Sequence, residues 1–213
     1  IELVRSFLSN SSGIKFFISK DKLLLISDNI WYSELHLKIT ILFLIIEHYF
    51  MLIKLKNKDT LEVDDFKFKC CIGKFGIKKK KIEGDKSTPK GQFEIGNLYY
   101  RADRIKKIKT SIKSKIIKPY MGWCNDINSK FYNKEIKKRK AISYEKIFRK
   151  DYKYDMFLII KYNYKKPIKG AGSAIFLHLT KNYNPTAGCI AIKKRDFLIL
   201  VKIINKKTKI KIG

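Results

Sequence analysis

From residue 51 onward the sequence is a run of short apolar stretches cut by Gly, Pro, Asn and Asp, and that punctuation confines it to β-strands joined by turns. Strand character is expected at 52–55, across 61–72 after the polar turn Asn57-Lys58-Asp59, at 92–95, 156–162, 174–179, 189–192 and 209–212. Between them, 84–91 is a loop dense in breakers. Residues 99–153 form a long connection whose only helical spacing falls around 143–149. One amphipathic helix is expected at 195–204, where Phe197, Leu198, Val201 and Ile204 recur at three-to-four spacing. Many strands with one late helix predict a mainly β domain with minor α, either a β-sandwich or a barrel-like mixed sheet.

Residues 1–50 read differently and are set apart as a leader of uncertain kind, with the domain occupying 51–213. Ile1 is not an initiator residue, and Met51 is a candidate native start. The run 39–53 is very apolar but short for a bilayer, and Glu47 and His48 interrupt it. It reads as a buried helix or as sequence outside the native protein; only part of a signal-peptide pattern is there. His36 and His48 are assigned no function.

The chain of 213 residues is strongly basic, with 48 Lys and Arg against 19 Asp and Glu and a formal net charge of +29. Such charge favours polyanions. Arg, whose planar fork reads bases and phosphates, is nonetheless scarce, and the lysines are spread along the whole chain. That is what an AT-rich coding sequence leaves behind. The charge is read as compositional, with no specific nucleic-acid partner, and a non-enzymatic protein binding a polyanion or envelope polymer is the competing reading. The four cysteines, Cys70, Cys71, Cys124 and Cys189, contain no C-x-x-C, which argues against a disulfide scaffold and a zinc site. No metal site is expected. Cys70 and Cys71 alternate faces on a strand, so at least one should fill a core, and Cys124 reads as a buried thiol packed on Trp123.

The chemistry concentrates in the last third. His178 ends one expected strand and Cys189 begins the next, so two adjacent strands could bring them together on one face. A thiol needs a base to become a nucleophile at neutral pH, and an imidazole is the usual one. Gly188 removes a side chain from the approach to Cys189 and frees the backbone N–H groups for an oxyanion, while Thr186 can tie the loop.

The run TAGCIAI at 186–192, with GSAIFLH at 172–178 before it, resembles the active-site signature of the L,D-transpeptidase catalytic domain (YkuD) family. GDKSTPKGQFEIG at 84–96 resembles that family's Thr-Pro-x-Gly-x-Phe loop. YYRADR at 99–104, GWCND at 122–126 and YDMFLIIKYN at 154–163 resemble segments of one branch, all in the expected order. The resemblance implies a cysteine acyltransferase without cofactor, acting on peptidoglycan stem peptides. Cys189 would attack the bond before a terminal D-alanine, His178 would serve as base, and Gly188 and Thr186 would support the oxyanion and its loop. The outcome would be a cross-link; trimming by water, as an L,D-carboxypeptidase, is the alternative from the same site. It also implies the periplasm or envelope. It assigns neither membrane association nor oligomeric state, nor which group orients His178. Two departures stand out: much of the family carries His before the Gly-Cys pair and Arg two residues after the Cys, where this chain has Ala187 and Ala191. Arg101 and Arg104 are the candidates to bind a substrate carboxylate in their stead, with surface ion pairing as the bland reading. Thr88, Pro89 and Gly91 are expected to shape a turn, and Asp85 to be a solvated loop acid. A papain-like enzyme is disfavoured because His precedes Cys, and a sortase because Arg195 is the only Arg beyond Cys189.

Overall fold

The computed structural model describes residues 15–19, 22–26, 39–40 and 51–213. The chain divides into two units, Ile1–Ile46 and Glu47–Gly213. In the first, β1 (Lys15–Ser19) and β2 (Lys22–Ile26) form an antiparallel hairpin. Most of the apolar run 39–53 lies outside the described residues, as do His36 and His48; its end, from Leu52, is strand. Among the described residues no helix is long and apolar enough to cross a membrane.

The second unit is mainly β. Its strands in order are β3 (Leu52–Lys56), β4 (Thr60–Val63), β5 (Phe66–Cys71), β6 (Ile77–Lys78), β7 (Thr88–Pro89), β8 (Gly91–Tyr100), β9 (Ser114–Ile116), β10 (Met121–Cys124), β11 (Glu135–Lys137), β12 (Tyr144–Lys146), β13 (Met156–Ile160), β14 (Phe176–Leu179), β15 (Ile190–Ile192) and β16 (Lys209–Ile212). The helix α1 (Lys194–Ile203) follows β15. A mixed sheet runs β13-β14-β15-β5-β4-β3-β16-β8-β9, and a further pairing of β8 with β13 closes it into a ring. Closure is possible because β8 is long: Gly91–Glu94 pairs with β16 and Ile95–Tyr100 with β13. The pairing slips by one residue at a bulge opposite Leu158 and Ile160. Closing the ring leaves only the short β9, paired with β8 alone, at an edge among these strands, a standard way of limiting the edge problem of β proteins.

Side-chain alternation sorts the strands into an inner and an outer face. Leu98, Tyr100, Leu158, Ile160, Leu177, Leu179, Ile190 and Ile192 point into one core, joined by Phe197, Leu200, Val201 and Ile204 from α1 and its C-terminal end. Tyr99, Phe157, Ile159, Phe176 and Cys189 point the other way, into a second, largely aromatic core with Trp123, Ile147 and Tyr154. That second core is roofed by a small antiparallel sheet ordered β11-β10-β12. Phe157 is its centre, with ring centroids 4.8 Å from Tyr99, 4.6 Å from Phe176 and 5.5 Å from Tyr154.

The long connection 99–153 thus holds four short strands, β9 to β12, and 143–149 is not helical. Tyr144 lies directly over Gly122, where an added Cβ would come within 2.6 Å of its ring, and Ile147 is fully buried beneath. Pairing with β10 and burial in the aromatic core overcome a local helical spacing. The expected strand 61–72 is also two strands, because Asp64 (φ +45°) and Asp65 make a tight turn between Val63 and Phe66. All four cysteines are free and buried; Cys70 belongs to the inner core, while Cys71 reaches Thr180 Oγ1 at 3.4 Å and the Asn184 carbonyl at 3.2 Å on the opposite face.

Phe157→Ala should destabilise the domain by about 3–5 kcal/mol, the usual cost of emptying a fully buried phenylalanine site. Urea unfolding followed by tryptophan fluorescence checks this, since Trp123 shares the core.

Candidate active site

Strands β14 and β15 are parallel neighbours, with His178 in register with Ala191 and Leu177 with Ile190. Residues in register in a parallel pair share a face, and side chains two apart on one strand do so too. His178 and Cys189 therefore stand on the outer face as diagonal neighbours. A direct contact confirms the placement of the sulfur: the Phe176 N–H donates to Cys189 Sγ at 3.3 Å. The thiol is directed to the Ala174 carbonyl at 3.2 Å. His178 Nδ1 lies 2.9 Å from the Leu179 carbonyl, and because a carbonyl only accepts, Nδ1 carries the proton and Nε2 keeps its lone pair. A backbone carbonyl therefore orients His178.

Parallel neighbours require the chain to travel back along the strand, here within 180–189. That loop is anchored to the end of β5. The Thr186 N–H donates to the Ile72 carbonyl at 2.9 Å and Thr186 O accepts from Lys74 N at 3.0 Å. Thr186 Oγ1 donates to the Cys189 carbonyl at 2.6 Å and accepts from the Gly188 N–H at 3.1 Å. Thr186 thus ties this loop, and the Gly188 N–H is engaged within it. Gly188 is indispensable for another reason. Its φ is +135°, and a Cβ there would come within 2.7 Å of the Ser87 carbonyl. Thr88 completes the clamp by donating from Oγ1 to the Gly188 carbonyl at 2.9 Å while accepting from Gly73 N at 2.9 Å. Thr88 thus does more than shape a turn; it brings the Thr-Pro loop to Gly188, the neighbour of Cys189.

Asp85 is not the solvated acid expected of it. Burial opposes its charge, but Lys81 Nζ at 2.5 Å, Ser87 Oγ at 2.6 Å, Ser87 N at 3.0 Å and Ile82 N at 3.2 Å hold its carboxyl well below the usual range. Sequence reasoning also passed over Asn133, which is 2% exposed. Its Oδ1 accepts from Trp123 Nε1 at 2.9 Å and Ala174 N at 3.0 Å, and its amide donates to the Tyr162 and Asn163 carbonyls at 3.1 and 2.6 Å. Asn133 so fixes Ala174, a non-glycine residue at φ +52° whose carbonyl receives the thiol. An Asn-Lys turn in a lysine-rich connection carries no signal of that role.

Beside His178 lies a cavity of about 190 Å³, lined by His178, Ala191, Ala187, Thr186, Tyr154, Glu145, Arg149, Lys153 and Lys181, among others; Cys189 is buried next to Ala187 and Ala191 and does not itself line it. The two alanines that depart from the family pattern both line it. The Tyr154 ring packs edge-on to the imidazole at 5.0 Å, and Arg149 stacks over the other part of Tyr154 at 5.2 Å. Arg101 and Arg104, the expected carboxylate binders, do not line this cavity. Arg101 forms a two-point pair with Asp103, donates to the Arg149 carbonyl at 2.7 Å and lies 3.5 Å over the Phe148 ring. Arg104 binds Asp155 and the Lys150 and Asp151 carbonyls. Together they brace the segment 148–155 that delivers Tyr154 and Arg149. Among the described residues, no three His, Cys, Asp or Glu side chains are grouped to hold a metal.

Burial sets the resting protonation. It pushes the Cys189 thiol up to about 12, against the pull of the Phe176 N–H, the Tyr154 hydroxyl and Lys81 and with the push of Glu145. It also takes His178 down to about 4, helped by Lys153 and Arg149 and opposed by the Leu179 carbonyl. At neutral pH the pair is thiol and neutral imidazole, with the thiol directed to the Ala174 carbonyl.

A family model for the L,D-transpeptidase catalytic domain matches residues 45–212. The chain belongs to that family. Comparison with curated proteins and with solved structures gives no match. The matched residues cover the whole ring, the roof sheet and α1, so the mainly β architecture is that of an L,D-transpeptidase domain, and Cys189 and His178 lie within it.

Because the folded-state pKa of His178 is depressed, the unfolded chain binds a proton first as pH falls. The neutral, buried imidazole therefore contributes full stability above about pH 6.5 and loses it progressively as pH falls towards 4. Urea unfolding at pH 7 and pH 4.5 should show a loss of up to about 3 kcal/mol. In His178→Gln that share of the pH dependence should vanish.

Proposed function

We propose that the protein is an L,D-transpeptidase that works through a thioester on Cys189. The observation that carries this reading is the register of β14 and β15, which puts a thiol and an imidazole with a free Nε2 on one face, the imidazole lining a cavity. The substrate is a peptidoglycan stem peptide, cut between its diamino acid and the terminal D-alanine. As the carbonyl carbon approaches, His178 Nε2 takes the Sγ proton and sulfur attacks, giving a tetrahedral oxyanion. The Cys189 N–H is the nearest backbone donor for that oxyanion, since Gly188 N–H is tied to Thr186. The C–N bond then breaks, the imidazolium returns the proton to the departing D-alanine amine, and the acyl group remains on sulfur. An amine of a second stem attacks the thioester, giving its proton to His178; the C–S bond breaks, the imidazolium returns the proton to the Cys189 sulfur, and the cross-link is formed; water in place of the amine gives trimming. Substrate places this chemistry in the periplasm or cell envelope.

With Arg101 and Arg104 committed to the scaffold, the cations available for a substrate carboxylate are those of the cavity wall, Lys153 and Lys181. Ala187 and Ala191 leave room for them.

Incubating the protein with a disaccharide-tetrapeptide and following intact mass should show an acyl adduct lacking D-alanine, mapped to Cys189. Cys189→Ala should lose the adduct and release D-alanine at least about a thousandfold more slowly, as expected when the nucleophile of a covalent mechanism is removed. Undiminished turnover in Cys189→Ala would defeat the proposal.

A further inference from the structure

Lys81 is buried, with its side chain 3% exposed. Fully buried lysines are rare, because an ammonium sacrifices strong hydration and a well-packed apolar chain would serve stability as well. Its Nζ donates to Asp85 Oδ1 at 2.5 Å and to the Ser87 carbonyl at 2.9 Å. Its methylenes pass under Gly172, where a Cβ would meet Cε at 2.7 Å. At its far end, Nζ stands 3.6 Å from the place a Cβ on Gly188 would occupy, next to the Cys189 backbone. Every part of this arrangement is built inward: Asp85 is locked by four donors, and Gly172 and Gly188 are both devoid of side chains where the lysine passes.

We infer that Lys81 is an electrostatic positioning residue, a fixed ammonium held by Asp85 against Gly188 that stabilises the thiolate of Cys189. The inference rests on Cys189 being the nucleophile. It answers a difficulty of the site: His178 is neutral at rest and offers positive charge only after it has taken the proton, whereas Lys81 is charged beforehand. The other groups acting on the sulfur are the Phe176 N–H, the Tyr154 hydroxyl and the Glu145 carboxyl, with His178 on the same face, and of these Glu145 disfavours the anion. Lys81 is the fixed cation among them and works in the favourable sense.

Iodoacetamide alkylation of Cys189 in the full chain, quantified on its own peptide from pH 6 to 10, tests this directly. That range lies below the thiol's titration, so the rate at each pH follows the thiolate fraction: in Lys81→Met it should fall about tenfold throughout, equivalent to a rise of about one unit in the thiol pKa on removing one nearby opposite charge. Asp85→Asn keeps the amine and removes its counter-charge, so the pKa should move the opposite way. A merely structural role would move both variants in one direction, or neither; either result overturns the inference. Should Lys81→Met fail to fold, Asp85→Asn decides alone: a fall supports the role, and no change or a rise overturns it. Tetrapeptide turnover separates the two levels of the account. Activity that survives in Cys189→Ala removes the nucleophile and this inference together, while Cys189-dependent activity with an unmoved pKa removes only the role of Lys81.

Discussion

Parallel pairing of β14 with β15 is the constraint on which the site depends. Because the side-chain period of a strand is two, a slip of one residue in that pairing would send Cys189 into the inner aliphatic core or turn His178 away from it. The register is fixed from both faces. Leu177, Leu179, Ile190 and Ile192 are buried inward, and Phe176 is locked among Phe157, Trp123 and Tyr154 outward. From the third side, Thr186 ties the connecting loop to the end of β5. Cys189 and His178 thus sit on a rigid strand pair, with the same hydrophobic contacts that stabilise the ring also setting their relative geometry.

Burial is the second theme, and it acts in two opposed ways. It keeps the resting site neutral, which stabilises the fold and protects the thiol. It also raises the energy of the thiolate, so the thioester route proposed for Cys189 needs local charge placed in advance. The surrounding polar scaffold is correspondingly dense: Asn133 makes four side-chain hydrogen bonds, one of which holds Ala174, and Asp85 accepts from four donors, Lys81 among them. Arg101 and Arg104 serve the same end at longer range by bracing the segment that presents Tyr154 and Arg149.

Strands that bury one whole face were legible in the sequence, because alternation and β-branched residues mark them directly; 52–56, 156–160, 176–179, 190–192 and 209–212 were placed almost to the residue, as was α1. The roof sheet was not. Its strands are three or four residues long, and their burial comes from a partner distant in sequence, so 143–149 showed helical spacing while Tyr144 pairs across to Cys124. Cys189, His178, Gly188 and Thr186 could be picked out by a short motif. The arginines could not be assigned by scarcity alone, since an Asp two residues from Arg101 claims its fork. Asp85 and Lys81 looked like one more charged loop, and only the folded chain shows that both turn inward.

The orientation of one imidazole is where the account is most exposed. Nitrogen-15 chemical shifts of His178 in the folded protein report directly which ring nitrogen holds the proton. The account predicts a protonated Nδ1 and a bare Nε2 throughout pH 5.5 to 8, with Nδ1 bonded to the Leu179 carbonyl. A proton on Nε2, or a doubly protonated ring at pH 7, would contradict it.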